Sequence, residues 1–220
     1  MKLDLSNVTL WSCVFTKDDA LLVKTLKVLR YCLRHAEFKE AILFSATEFC
    51  DPFVKDVRIP ELDLTRFNVY VNTSFPLHMN GDSSMSVHED GFPIRWDLWS
   101  PEFLEYDYIG APWPDGVVGN GGFSIESRKM LEEKRKLPHP STNTEWIEND
   151  IVVSKSIPAD AYLCRTHRDK LESAGCAWAP VETAARFSTE QTHKEQASFG
   201  FHGRIAAKEK YDIGWSLING

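Results

Sequence analysis

The stretch from Val8 to Ser45, VTLWSCVFTKDDALLVKTLKVLRYCLRHAEFKEAILFS, decides the fold. Val8–Phe15 is a short apolar run rich in β-formers and reads as a buried strand. Asp18 or Asp19 can cap the next element. From Ala20 to His35, residues Leu21, Leu22, Thr25, Leu26, Val28, Leu29, Cys32 and Leu33 recur at helical spacing, with Lys and Arg between them. Ala41–Ser45 is again strand-like. Strand, helix, strand is the opening of a parallel α/β sheet.

Working outward, Val54–Ile59 reads as a weaker third strand. Leu64–Met79 carries a helical pattern through Phe67, Val71 and Phe75, interrupted at Pro76. Asn80–Ser84 (NGDSS) is a turn, and Met85–Val87 a short strand ending at His88-Glu89-Asp90-Gly91. Ile94–Tyr108 is aromatic-rich, Ile109–Pro114 (IGAPWP) a rigid loop and Ser127–Lys136 a polar helix. Glu145–Ser154 (EWIENDIVVS) begins acidic and turns apolar, which predicts a helix with an acidic first turn. Ala161–Cys164 and Ala177–Val181 read as short segments, Phe187–Ser198 as a polar loop or lid, and Phe199–Gly203 (FGFHG) as the last informative piece.

Composition narrows the function. With 220 residues, 43% hydrophobic and 26% charged, the chain suits one ordered domain with a sizeable core. A formal net charge of -7 argues against nucleic acid as a partner. Any phosphate must be met by a metal or a local cluster of donors. Five cysteines without a CxxC read as buried, reduced thiols. No run reaches transmembrane length, and MKLDLSNVTLW lacks the pattern of a signal peptide. A cytoplasmic protein without an intrinsic membrane anchor is expected.

Several segments carry chemistry. Residues i and i+2 of an extended segment share a face, so His88 and Asp90 would point together and could hold a divalent metal, with Glu89 aimed elsewhere. A solvated acidic turn is the plainer alternative. Gly119–Ser124 (GNGGFS) permits close backbone approach to a hydroxyl-rich ligand, but has neither GxGxxG nor GK[ST] spacing. Glu148, Asn149 and Asp150 could supply a base for an acceptor hydroxyl or simply cap a helix. His202 suits a further metal ligand, although a packed core histidine fits it too. Arg66 and Lys17 are possible phosphate partners. Trp96, Trp99 and Trp113 could stack on sugars or fill the core.

The order HEDGFPI, FLEYDYIGAPWP, VGNGGFSIESRKML, ENDI, APVETAARFSTE and FGFHG resembles the DUF5672-type family, whose members look like GT-A glycosyltransferases. The resemblance runs over Val8–Gly203 and extends to the N-terminal domain of algal-virus glycosyltransferases that decorate capsid glycans. It implies an α/β, GT-A-like fold: a Rossmann-type nucleotide-binding sheet with a mixed-sheet acceptor part. It also implies a single domain over 1–220, with 1–92 mainly nucleotide-binding and 93–220 mainly acceptor-binding, possible as a module of a longer chain. The implied donor is a nucleotide sugar, taken to be a UDP-sugar, with Mn²⁺ or Mg²⁺ at a DxD-like position, and the acceptor a glycan or glycoprotein hydroxyl. That position is His88-Glu89-Asp90 here, with His88 in place of the first carboxylate, and His202 completes the metal set. Asp150 takes the role of inverting base, with Glu148 second. Ser12, Cys13, Val14, Arg66 and Glu89 are expected beside the nucleotide, and Asn120, Gly121, Gly122 and Trp113 beside donor or acceptor sugar. A non-catalytic glycan- or nucleotide-binding module, and a metal-dependent hydrolase or nucleotidyltransferase, remain as alternatives.

Overall fold

The computed structural model describes residues 2–138, 144–148, 151–155 and 157–219. Its centre is β1 (Leu3–Val14), flanked by β2 (Ala36–Ser45) and β4 (Ser83–Ser86), both parallel to it. β3 (Lys55–Arg58) adds in parallel outside β2. On the other side β7 (Ser124–Ser127) runs antiparallel to β4, and β6 (Tyr108–Gly110) antiparallel to β7. The order β3-β2-β1-β4-β7-β6 makes an α/β fold on a six-stranded mixed sheet. Strand order reverses direction between β1 and β4, and ligands of such sheets gather outside the carboxyl ends at that point.

The sheet is covered because β1 is apolar on both faces. Val8, Leu10 and Val14 face one cluster with Leu22, Val28, Leu29 and Cys32 of α1 (Asp19–His35). Trp11 faces the other, with Phe44, Phe75 and Val71 of α2 (Leu64–Thr73). Alternation along the strand produces this division. The Asp18 side chain caps α1 by accepting from Leu21 N at 2.9 Å, worth about 1 kcal/mol. Asp63 caps α2 and Ser127 caps α3 (Arg128–Lys134) in the same way.

A second, three-stranded sheet lies beside the first. β11 (Gly200–His202) pairs in parallel with β10 (Ser188–Thr189) and antiparallel with β5 (Gly91–Pro93). Further α-helices among the described residues are α4 (Ala159–Ala161), which runs into a π-helical turn at Tyr162–Thr166, then α5 (Arg168–Ser173), α6 (Val181–Phe187) and α7 (Lys208–Asn219). α7 packs on the small sheet through Gly214, where a Cβ would come within 2.8 Å of Phe92. Among the described residues no helix is long and apolar enough to cross a membrane.

Several sequence expectations are corrected. The segment read as a helix at Glu145–Ser154 is an antiparallel pair, β8 (Thr144–Glu148) with β9 (Ile151–Lys155). The run Ile151-Val152-Val153 is β-branched, and such side chains favour strands over helices. The pattern over Leu64–Met79 stops at Thr73, and Phe75–His78 is a single 3-10 turn carrying Pro76. The supposed turn Asn80–Ser84 enters β4 at Ser83. Cys32, Cys164 and Cys176 are buried, but Cys13 is half-buried and Cys50 exposed; all five are free thiols.

Lys134 Nζ lies 2.6 Å from Glu126 Oε2, with side chains 0% and 8% exposed. Removing one member strands the other charge in the core. Lys134→Met should therefore cost about 3–5 kcal/mol of unfolding free energy, and Lys134→Met with Glu126→Leu should recover most of it, as read by urea denaturation.

Candidate metal centre and pocket

His88, Glu89, Asp90 and Gly91 form a tight turn, in which His88 N donates to Gly91 O at 2.7 Å and Gly91 N to His88 O at 3.2 Å. The turn follows β4 directly. Ser12 Oγ donates to the Val87 carbonyl at 2.6 Å and so ties the end of β4 to β1 just ahead of His88. The expected strand-like i, i+2 geometry is thus replaced by a turn, yet His88 and Asp90 still converge.

The third member arrives through pairing. β11 runs antiparallel to β5 with His202 opposite Gly91, and Gly203 N donates to Asp90 O at 2.8 Å. One ligand atom each from His88, Asp90 and His202 lies within 4.8 Å of the others. His202 Nε2 is 3.8 Å from Asp90 Oδ1, and its Nδ1 is 3.4 Å from Glu190 Oε1. The imidazole occupies a slot between two glycines: a Cβ on Gly122 would lie 1.9 Å from His202 Nε2, and one on Gly91 2.6 Å from Cδ2.

The carboxylates favour positive charge here, and the Arg204 guanidinium already lies 3.9 Å from Asp90 Oδ2. Burial drives the His88 pKa down, and nearby His202 lowers it further, against the pull of Asp90, Glu89 and Asp160. His88 is therefore held as a neutral imidazole, the form that binds metal. Burial also opposes protonation of His202, but Glu190, Asp90 and Asp160 outweigh it and raise its pKa. Two imidazoles and one carboxylate fit a divalent transition ion.

Two cavities meet at His202; His88 lines the first of them and Asp90 lines neither. One, of about 280 Å³, runs from His88 and His202 past Gly121 and Gly122 to Trp11, Asn68 and Glu126. The other, of about 610 Å³, opens between Trp113, Asn120, Arg165 and Glu190. Pro158, Asp160 and His202 line both. The GNGG loop forms the shared floor: Gly121 N donates to Asp160 Oδ2 at 3.0 Å, Gly122 N to Asn120 Oδ1 at 3.3 Å, and Asn120 takes a positive φ of 21°. A wider groove of about 740 Å³ between Lys2, Arg34, Phe38 and Phe53 sits at the amino ends of β1 and β2, away from the ligand-binding edge.

The other expected site residues scatter. Val14 and Ser12 are buried on the α1 side of the sheet, and Ser12 already bonds Val87; half-buried Cys13 packs toward the α2 side. Glu89 pairs with Arg204. Arg66 is solvent-exposed 3.8 Å from Asp63, and Lys17 is 4.0 Å from Glu61. Trp113 lines the wider cavity with the Arg165 guanidinium 4.4 Å above its ring. Trp99 packs on Phe199 at 5.2 Å and Trp96 stacks on His35 at 5.3 Å. Asp150 lies outside the described residues, as does the Glu148 side chain. Sequence reading missed Asp160, Glu190, Asn68 and Glu126. Glu190 lay in the supposed lid, and no local pattern marks the other three.

A family model described as a protein of unknown function, DUF5672, matches residues 77–202. No curated protein matches the chain. Among solved structures, a glycosyltransferase involved in the glycosylation of the major capsid of PBCV-1 is similar at TM-score 0.52 and 12% identity, over 94% of this chain and 98% of that one. The apo-form glycosyltransferase GlyE of Streptococcus pneumoniae TIGR4 gives TM-score 0.49 and 12% identity, over 100% of this chain and 62% of its own. The mannosyltransferase PcManGT of Pyrobaculum calidifontis, in complex with GDP-Man and Mn²⁺, gives 0.47 and 11%, over 79% and 54%. The likeness to the first is one of fold.

Gly122→Ala should push the His202 ring out of its slot. The expected outcome is a folded protein with unchanged far-ultraviolet circular dichroism that loses at least about tenfold in Mn²⁺ affinity by calorimetry.

Proposed function

The chain belongs to the DUF5672 family, and from that premise we propose that it is a metal-dependent glycosyltransferase moving a sugar from a nucleotide donor to a glycan hydroxyl. The observation that carries the reading is the convergence of His88, Asp90 and His202 at the carboxyl ends of β1 and β4, beside a cavity that His88 and His202 line and with Asp90 behind them. Alternatives that need only binding give no reason for a metal cluster at that place.

In this reading His88, Asp90 and His202 hold a divalent ion, Mn²⁺ or Mg²⁺. Bound there, the ion would neutralise the leaving nucleoside diphosphate. The nucleotide, taken as UDP, lies along the ends of β1 and β4 against Trp11 and Asn68, with Ser12, Cys13 and Val14 behind the cavity wall and Arg66 and Glu89 reaching its margin only on leaving Asp63 and Arg204. Gly121 and Gly122 let the donor sugar approach main chain, since any side chain at Gly122 would meet His202. Asn120 and Trp113 border the side from which the acceptor enters. A capsid glycan is one acceptor of this class.

Asp150 is proposed to take the acceptor proton as the bond to the anomeric carbon forms, with Glu148 as the second candidate. Asp160 is held by Gly121 N and Ala161 N, at 3.0 and 2.7 Å. It is a positioning carboxylate on the wall between the two cavities. Residues 1–92 supply most of the donor side and 93–220 most of the acceptor side.

The test is a thermal-shift screen of nucleotide sugars with and without Mn²⁺, followed by assay of nucleoside diphosphate release. A donor should raise the midpoint only when metal is present. Asp90→Ala should cut donor turnover at least about 100-fold while leaving the metal-free melting temperature close to wild type. Full turnover in that variant removes the metal from the mechanism. Release of pyrophosphate or a nucleoside monophosphate would move the protein to a different reaction class.

A further inference from the structure

We propose that the first half of β2 is an interface at which two copies of this chain join edge to edge, running antiparallel about Phe38. The interface lies at the amino ends of β1 and β2, away from His88 and His202, and is independent of the activity proposed above.

An uncovered strand edge carries the first half of the inference. β1 pairs with β2 from Ala36 onward. On its other side β2 is covered by β3 only over Ile42–Ser45, which Lys55–Arg58 meet in parallel. Among the described residues no strand pairs with Ala36–Ala41 on that side. Such an edge presents main-chain donors and acceptors to an extended chain. The groove of about 740 Å³ runs beside this stretch, lined by Arg34, Ala36, Glu37, Phe38 and Phe53. Phe53 at its rim is 72% exposed. The wall that carries Phe53 is fixed, because Asp51 accepts from Arg30 Nε at 2.5 Å, from Phe53 N at 2.8 Å and from Val54 N at 3.1 Å. The register irregularity of this region falls on β1, where Ser6, Asn7 and Val8 stand opposite Lys39 alone, so β2 itself stays extended.

The charges name the occupant. Along Ala36–Glu40 (AEFKE), Glu37 and Lys39 share one face and Phe38 takes the other. Glu37 and Lys39 are both exposed, and neither has an ion-pair partner among the described residues. Lone charges on an open edge discourage an uncharged foreign strand. A second copy supplies their complement. Antiparallel about Phe38, Glu37 of each copy faces Lys39 of the other, and the two Phe38 rings meet. Opposite charges and aromatic rings placed directly across a strand pair favour it, and like charges oppose it. Centring the pair on Glu37 or on Lys39 sets like charges against each other, as does parallel pairing in register. The register about Phe38 is thereby selected, and its two-fold symmetry makes the contact self-complementary.

The experiment follows the mass of the full chain by sedimentation velocity over about two decades of concentration. Wild type should pass from monomer to dimer. Glu37→Lys or Lys39→Glu alone places like charges at both crossings and should weaken association at least about tenfold. Glu37→Lys together with Lys39→Glu in one chain should restore it. An equal mixture of the two single variants should form a heterodimer, since one copy then offers two lysines and the other two glutamates. Both positions are exposed, so the variants should keep the wild-type circular dichroism. Should Glu37→Lys misfold, Lys39→Glu and the double swap still carry the test. A wild-type monomer at every concentration overturns the interface, and so does a dimer indifferent to the single swaps. Loss in the single variants without recovery in the double swap or the mixture overturns the register.

Discussion

Pairing of β11 with β5 is the constraint on which the site depends. It sets His202 opposite Gly91, and with it brings an imidazole from the end of the chain against a turn more than a hundred residues earlier. A one-residue slip in that register would turn His202 to the other face of the small sheet. The register is secured by aromatic packing beneath it, where Phe92 meets Phe201 at 5.1 Å and Phe199 lies among Phe103, Phe123 and Phe187. Glycine is then required at two places, because the ring of His202 fills the volume that side chains at 91 and 122 would take.

The large sheet contributes direction. Its parallel half brings the ends of β1 and β4 together at the crossover, and Ser12 locks them through the Val87 carbonyl. Its antiparallel half delivers the GNGG loop immediately before β7, so the floor of the cavity and the turn that carries His88 and Asp90 hang from neighbouring strands. Asp160 closes the arrangement from α4, through its bond to Gly121 N. Polar groups of four separate segments are thereby held within one small volume, each by main-chain contacts that do not depend on a ligand.

Much of the frame was legible before any coordinates. Apolar β-formers at Val8–Phe15 and Ala41–Ser45 and the 3.6-residue spacing of Leu22, Val28, Leu29 and Cys32 are local signals, and local signals survive in a single sequence. The ENDI segment misled because acidity at a helix start is worth only a fraction of a kcal/mol, while three consecutive β-branched residues and strand pairing pull the other way. Ser12, Cys13 and Val14 are consecutive in sequence, but adjacent strand residues face opposite sides, so their side chains divide between the two faces.

The α/β class and the glycine loop at 119–122 are legible in neighbouring residues, and so is the nearness of His88 to Asp90, although their segment is a turn and not the extended one expected. That His202 joins them, that Glu190 stands behind its ring, and that Asp160, Asn68 and Glu126 line the cavity follows from how distant segments pack. Those residues meet across dozens of intervening positions. Their juxtaposition is a product of strand order and register, which no local spacing encodes.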